Sequence, residues 1–267
     1  MKTPASLQRI KERLEMPGTR FSDGGAATCT VTLRDFLIVT HAVPAERARP
    51  HVPDALPLDT LPGPDGTRLA FVQTTCFFND NFHWSPLPHG PGLSYHQSTY
   101  RILTRRNGRR GAFFLRTYLS TTAALVAQRA IARQVEQANF FVHVAGDPAA
   151  KRCDAYTIRA VGERGQTALD VRGLPATAPT PAPFTSWEDM VFFLTQREEG
   201  YFEAVGGGLG LLPVEHKAMR PGAAELVAAR VSLWTDLGVL LPEDLLRPIA
   251  VLIQPAIVFT SYPPRMG

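Results

Sequence analysis

Cysteine is scarce in this 267-residue chain. Cys29, Cys76 and Cys153 form an odd set with no CxxC spacing, which argues against a disulfide framework or a structural zinc site and fits a reducing compartment. Lysine is nearly as rare: only Lys2, Lys11, Lys151 and Lys217 occur, so few amines are on hand for nucleophilic chemistry. No apolar run approaches the roughly 18 residues of a membrane span. The opening MKTPASLQRIKERLEMPGTR scatters charge where a signal peptide has an apolar segment, so the expected location is cytoplasmic, with no membrane partner. GxSxG is absent, which excludes a nucleophile elbow. The glycine run Gly206–Gly210 lacks the GxxxxGK[ST] spacing of a phosphate loop. Charge of one sign is not in large excess either, at a formal net +4. The arginines Arg105, Arg106, Arg109 and Arg110 flank a turn and read as a solvated tip, so no nucleic-acid partner is expected. His83, His89 and His96 straddle a proline-rich stretch with no regular element to orient them, so no metal is expected.

What the chain has in quantity is apolar surface. It is 45% hydrophobic and 19% charged, enough for one large folded domain spanning 1–267, with 1–27 as an N-terminal extension. Residues 5–16 carry a helical period. Strands are expected at 28–39, 69–78, 139–145, 155–162, 167–172, 227–233 and 250–260, from β-branched and aromatic runs bounded by turn residues. A short helix opens at Pro44, a capped one runs from Thr121 to Val135, and another begins at Ser186. Residues 79–92, rich in proline, are expected to form a loop that could serve as a lid. The pattern predicts an α+β protein: an antiparallel, partly closed β-barrel with an internal cavity and a few flanking helices.

The most informative segment is Tyr95–Ser120. Asn107-Gly108 is a strong hairpin signal, because a type I′ turn needs two residues at positive φ. Tyr95, Gln97, Thr99 and Arg101 recur at a period of two and so share one face of the first strand. Such groups are costly to bury unless they pair with one another or with a ligand.

This hairpin resembles that of the acetoacetate decarboxylase-like superfamily, in particular its branch of uncharacterised bacterial proteins. There the first strand reads Glu-x-Asn-x-Arg-Thr-Tyr-Val and the second opens Gly-Val-Tyr-Phe. Counting back from Gly111-Ala112-Phe113-Phe114, Arg101 falls on the family arginine, Thr99 on the asparagine and Gln97 on the glutamate. Similar landmarks lie at His41–Pro44, Pro50–Pro53 and Leu58-Asp59-Thr60, and later at Phe193–Arg197 and Glu215–Lys217. The resemblance implies a barrel with an internal cavity, and a Lys-Lys pair in the segment Arg133–Ala138. Glu136 and Gln137 stand there instead, so Schiff-base decarboxylation is not expected. Lys217 is the one lysine near a landmark, and its distance from the cavity is left open.

Acid/base chemistry without a cofactor is the remaining expectation. Arg101 would hold a carboxylate or enolate, Gln97 would hydrogen-bond a carbonyl oxygen, and Glu136, within reach of Arg101, would move protons. Tyr95, Thr99, Arg116, Tyr118 and Gln137 would line the substrate. The expected function is an enzyme acting on a carbonyl-bearing small molecule by dehydration, cyclisation, aldol-type cleavage or isomerisation, such as a biosynthetic step. The alternative is a binding protein that keeps the cavity without the chemistry. A homo-oligomer is compatible with either.

Overall fold

The computed structural model describes residues 28–84, 92–147, 152–174 and 180–266. In chain order its elements are β1 (Cys29–Pro44), α1 (Ala45–Ala48), β2 (Leu61–Pro62), β3 (Arg68–Trp84), β4 (Leu93–Arg106) and β5 (Arg109–Leu119). There follow α2 (Thr122–Arg129), β6 (Val135–Asp147), β7 (Arg152–Gly162), β8 (Gly165–Gly173), α3 (Trp187–Thr195) and β9 (Glu199–Glu203). The last are β10 (Leu209–His216), β11 (Gly222–Val231), α4 (Ser232–Asp236), β12 (Ala250–Ser261) and β13 (Arg265–Met266). The architecture is therefore one large, mostly antiparallel sheet with few helices. The helical period at 5–16 and half of the proposed lid, residues 85–91, lie outside the described residues.

β1 is the spine. It pairs antiparallel with β3 on one side and with β12 on the other, and β3 passes on to the hairpin β4–β5. From β12 the ladder runs through β11, β8, β7 and β6, and β6 meets β5 in a short parallel pairing, Thr117↔Val135 to Leu119↔Gln137. A second path leads from β12 through β10 and β9, again to β5 in a parallel pairing. Both paths thus return to the hairpin.

The hairpin turn forms as expected: Asn107 and Gly108 sit at φ 51° and 78°. Where β4 meets β5, Tyr100 faces Arg116 but Arg101 faces Phe114, so Leu115 is an extra residue, a β-bulge. Ala112 and Phe114 point to one side before it, and Thr117 takes that side after it.

Two cores lie on opposite sides of the shared strands. Tyr100, Tyr118, Tyr156 and Trp234 fill one, with the Tyr100 and Tyr118 rings edge-on at 5.4 Å. Phe36, Phe71, Leu103, Phe193 and Leu252 fill the other beneath α3. Each such side chain stabilises the fold by about 1.5–3 kcal/mol on burial. The Ser186 hydroxyl accepts from the Asp189 amide at 3.1 Å and caps α3.

Two sequence expectations need correcting. Residues 79–84 continue β3 rather than opening a loop, with Asn81 at φ 57° absorbing an irregularity in the pairing. The helix expected at 121–135 ends at Arg129. Beyond it the Arg133 amide donates to the Glu203 carbonyl at 3.0 Å, and Gln134 accepts from the Thr117 amide at 2.8 Å. These sheet bonds outweigh the intrinsic helix preference of an exposed segment. Glu136 is consequently on a strand, not at a helix end.

Candidate functional site

One face of β4 forms a wall of an internal cavity of about 290 Å³, and Tyr95, Gln97, Thr99 and Arg101 all line it. The remaining lining is largely aromatic and aliphatic: Phe36, Phe77 and Phe82 from β1 and β3, Phe114 from β5, Phe202 from β9 and Phe259 from β12. The six residue steps from Tyr95 to Arg101 span about 20 Å. At the Tyr95 end the phenol accepts from Gln128 of α2 at 3.3 Å. Ala127 on α2 and Pro263, both exposed, border the same cavity, so this end is its mouth. Arg101 lies deep.

Along the wall most polar groups have protein partners. The Thr99 and Thr75 hydroxyls bond at 2.8 Å, and Asn79 donates to the Gln97 side-chain oxygen at 3.1 Å. With that oxygen engaged, the Gln97 amide N–H groups are its free donors. Arg101 is different. Gln73, fully buried, donates its amide to the Thr40 hydroxyl at 3.1 Å and the Leu194 carbonyl at 3.0 Å. Its carbonyl oxygen is thereby turned to accept from Arg101 Nε at 2.8 Å. Among the described residues Arg101 has no other hydrogen bond and no carboxylate, so its terminal N–H fork is presented to the cavity. Burial, and secondarily the charge of Arg197, pull the Arg101 pKa down to about 9.

Around this end two further guanidiniums share one carboxylate. Arg197 bonds Asp59 at 2.6 Å, and Arg110 Nε lies 3.9 Å from the same Asp59 oxygen. Both guanidiniums flank the Phe193 ring, at 4.9 Å and 5.1 Å from its centroid. Arg110 is thus buried and does not belong to a solvated tip, unlike its neighbour Arg109. Asp59 and Arg197 come from two separate landmarks of the sequence and meet only in the fold. Glu199, also buried, accepts from the Tyr201 hydroxyl and lies 3.4 Å from Arg109. His216 donates Nδ1–H to the Lys217 carbonyl at 2.8 Å, which leaves Nε2 unprotonated. It stacks on Phe259 at 4.3 Å. Burial, with a smaller contribution from Arg101, pulls its pKa down to about 4, so it is neutral at pH 7.

Four expected site residues stand apart from this cavity. Glu136 Oε1 lies 3.5 Å from Arg116 and 3.7 Å from the exposed Arg164; it does not reach Arg101. Val135 lines the cavity, so Glu136, next along β6, takes the opposite side, and the bulge at Leu115 turns Arg116 and Tyr118 away from the side that Ala112 and Phe114 occupy. Tyr118 instead packs on Tyr100. Gln137 is exposed and accepts from the Thr122 hydroxyl at 3.4 Å. Lys217 is exposed and does not line the cavity. Arg197, Glu199 and His216 do line it; the last two carried no periodic signal, because they lie near the ends of short strands.

A family model for uncharacterised conserved proteins, DUF2071, matches residues 30–254. The chain belongs to this family. No curated protein matches it. Among solved structures, the DUF2071 fold is similar to an acetoacetate decarboxylase-like enzyme from Sphingomonas wittichii RW1 (TM-score 0.57, 12% identity, 94% of this chain and 99% of that one). It is also similar to the enduracididine biosynthesis enzyme MppR complexed with pyruvate (TM-score 0.55, 12% identity, 94% and 95% covered). A third is the acetoacetate decarboxylase of Legionella pneumophila (TM-score 0.51, 14% identity, 95% and 92% covered). At such identities the likeness is one of fold: this DUF2071 chain has the acetoacetate decarboxylase-like fold.

Proposed function

We propose that the chain is a cofactor-independent enzyme acting on a carbonyl-bearing small molecule inside a partly closed barrel, with acid/base chemistry at the inner end of the β4 wall. The observation that carries this reading is the part-buried Arg101, whose fork has no anion among the described residues and lines the same cavity as Gln97 and His216. The enzymes of like fold, one of them bound to pyruvate, support the general class. An anionic substrate group accepts bidentate bonds from Arg101. The Gln97 amide donates to the carbonyl oxygen as negative charge develops on it. His216 Nε2, rather than Glu136, takes a proton from the carbon beside the carbonyl, and the electrons of that C–H bond pass to the oxygen as an enolate. Pairing Arg101 with a carboxylate removes part of the field that depresses the His216 pKa, so binding strengthens the base. Dehydration, cyclisation and isomerisation begin from such an enolate, and aldol-type cleavage ends in one that is then protonated at carbon.

The test is exchange of carbon-bound hydrogen. Purified protein is incubated in D2O with 2-oxo acids of increasing length, and loss of the C3 proton signal is followed by NMR. Exchange above the protein-free rate that His216→Phe abolishes is the expected result. A non-catalytic binding protein is the second reading, favoured by the internal pairing of Thr99 with Thr75. Saturable binding of these acids with no exchange and no product would establish that reading against the first.

A further inference from the structure

We propose that the cavity selects monocarboxylates bearing an unbranched apolar chain, with the carboxylate on Arg101 and the chain running along β4 towards the mouth at α2. The inference rests on reading this cavity as the functional site, and it names the ligand class.

Tyr95 and Thr99 have protein partners, and Gln97, with its oxygen engaged, keeps only neutral amide N–H groups for a ligand, so the outer two-thirds of the wall asks for no charge. Among the described residues that line the cavity, the Arg101 fork alone presents an unneutralised cation, and Gln73, held from both sides by Thr40 and Leu194, fixes the direction of that fork. One cation at one end calls for one anion at one end. Between there and the mouth the facing surfaces carry no charged side chain among the described residues and are mainly apolar: Phe77, Phe82 and Leu93 beside the wall, and Ile131 and Ala127 from α2 and the turn after it, with Gln128 and Gln134 neutral among them. A second charge on the ligand would have to lie among these side chains without a partner, which is costly. Short acids would fill the inner end and leave the apolar stretch uncovered. The roughly 20 Å of strand from Arg101 to Tyr95 gives room for an extended chain.

The experiment is calorimetric titration of the full-length protein with butyrate, hexanoate, octanoate, 1-octanol and suberate. Affinity is expected to rise with chain length, by up to about fourfold per methylene, so that octanoate exceeds butyrate by tenfold or more. Octanol, without the anion, and suberate, with a second one, are expected to bind at least tenfold more weakly than octanoate. Arg101→Met is expected to lower octanoate affinity by roughly tenfold to a hundredfold. No measurable octanoate binding, no gain from butyrate to octanoate, equal binding of suberate or octanol, or an Arg101→Met protein that binds octanoate as the wild type does would each overturn the proposal. Should Arg101→Met fail to fold, the wild-type series decides alone. Chain-length-dependent binding without hydrogen exchange would defeat the enzymatic reading and leave this one standing. Exchange of short 2-oxo acids without any gain from chain length would do the reverse.

Discussion

Replacing Arg101 with methionine should leave the protein as stable as before or make it more so, even as it removes ligand binding. The guanidinium is held inside the fold by a single neutral hydrogen bond from Nε to Gln73 and has no carboxylate among the described residues. Burial, reinforced by Arg197, depresses its pKa from 12.5 to about 9. Converted at about 1.4 kcal/mol per unit, that depression corresponds to a penalty of at most about 5 kcal/mol at neutral pH, and to less because part of the group faces the cavity. Against it stand the bond to Gln73 and the stranding of the Gln73 oxygen, together about 1–3 kcal/mol. Methionine retains much of the apolar stem packing. The balance lies between neutrality and a gain of about 2 kcal/mol, or up to roughly 8 °C in melting temperature for a domain of this size. The sign with pH follows from the direction of the shift. The folded pKa is below the unfolded one, so the penalty is complete below about pH 9 and is relieved as pH rises through it. The advantage of the methionine variant should therefore shrink between pH 7 and pH 10. Differential scanning fluorimetry at pH 7, 8.5 and 10 measures it. A fall of several degrees at pH 7 would mean that Arg101 holds the fold together, and the reasoning from its unpaired charge would fail.

Four other outcomes follow from the same geometry. Asp59→Asn leaves Arg197 and Arg110 buried without their shared anion, so denaturant titration should record a loss of about 3–5 kcal/mol. Borohydride added with pyruvate should leave the intact mass unchanged, because Lys217 is exposed and outside the cavity lining; a reduced adduct mapped to it by peptide mass would contradict this. Gly111→Ala would set a Cβ 2.7 Å from the Tyr201 ring and 2.8 Å from the Glu199 carbonyl oxygen, and should cost about 1–3 kcal/mol, whereas Gly206→Ala meets nothing within 4 Å and should change stability little. His216, pulled down from 6.5 to about 4, contributes stability that is complete above pH 6.5 and disappears as pH falls through 4; His216→Phe should flatten the acid limb of the stability curve over that interval by comparison with the wild type.

Sequence reasoning located the cavity wall because strand periodicity is local. Tyr95, Gln97, Thr99 and Arg101 keep one side of β4, and the Asn107-Gly108 turn needs only its own two residues. The same logic failed one strand later for a reason that is not local: the extra residue at Leu115 is visible only once β5 is paired, and it moved Arg116 and Tyr118 to the far side. Glu136 was misjudged through its element, since the helix in which it was expected stops where strand pairing with β5 and β9 takes the backbone. Arg197 and Asp59 were each noticed as parts of separate landmarks, yet nothing along the chain foretold their ion pair. Glu199 and His216 escaped notice because short strands offer too few residues to establish a period.

The position of β12 beside β1 also sets a schedule for the nascent chain. Thr40 pairs with Ala250, and the ladder between these two strands continues to Cys29 and Ser261. As the polypeptide leaves the ribosome, β1 and β3 can join the hairpin early, but one long edge of β1 has no neighbour until β12 has been made. That edge carries Leu37, Ile38 and Val39, an apolar and β-branched row of the kind that recruits other unfinished chains. Because loop closure over such a separation is slow, yield during expression should depend on temperature and on chaperone supply more than the stability of the finished sheet would suggest.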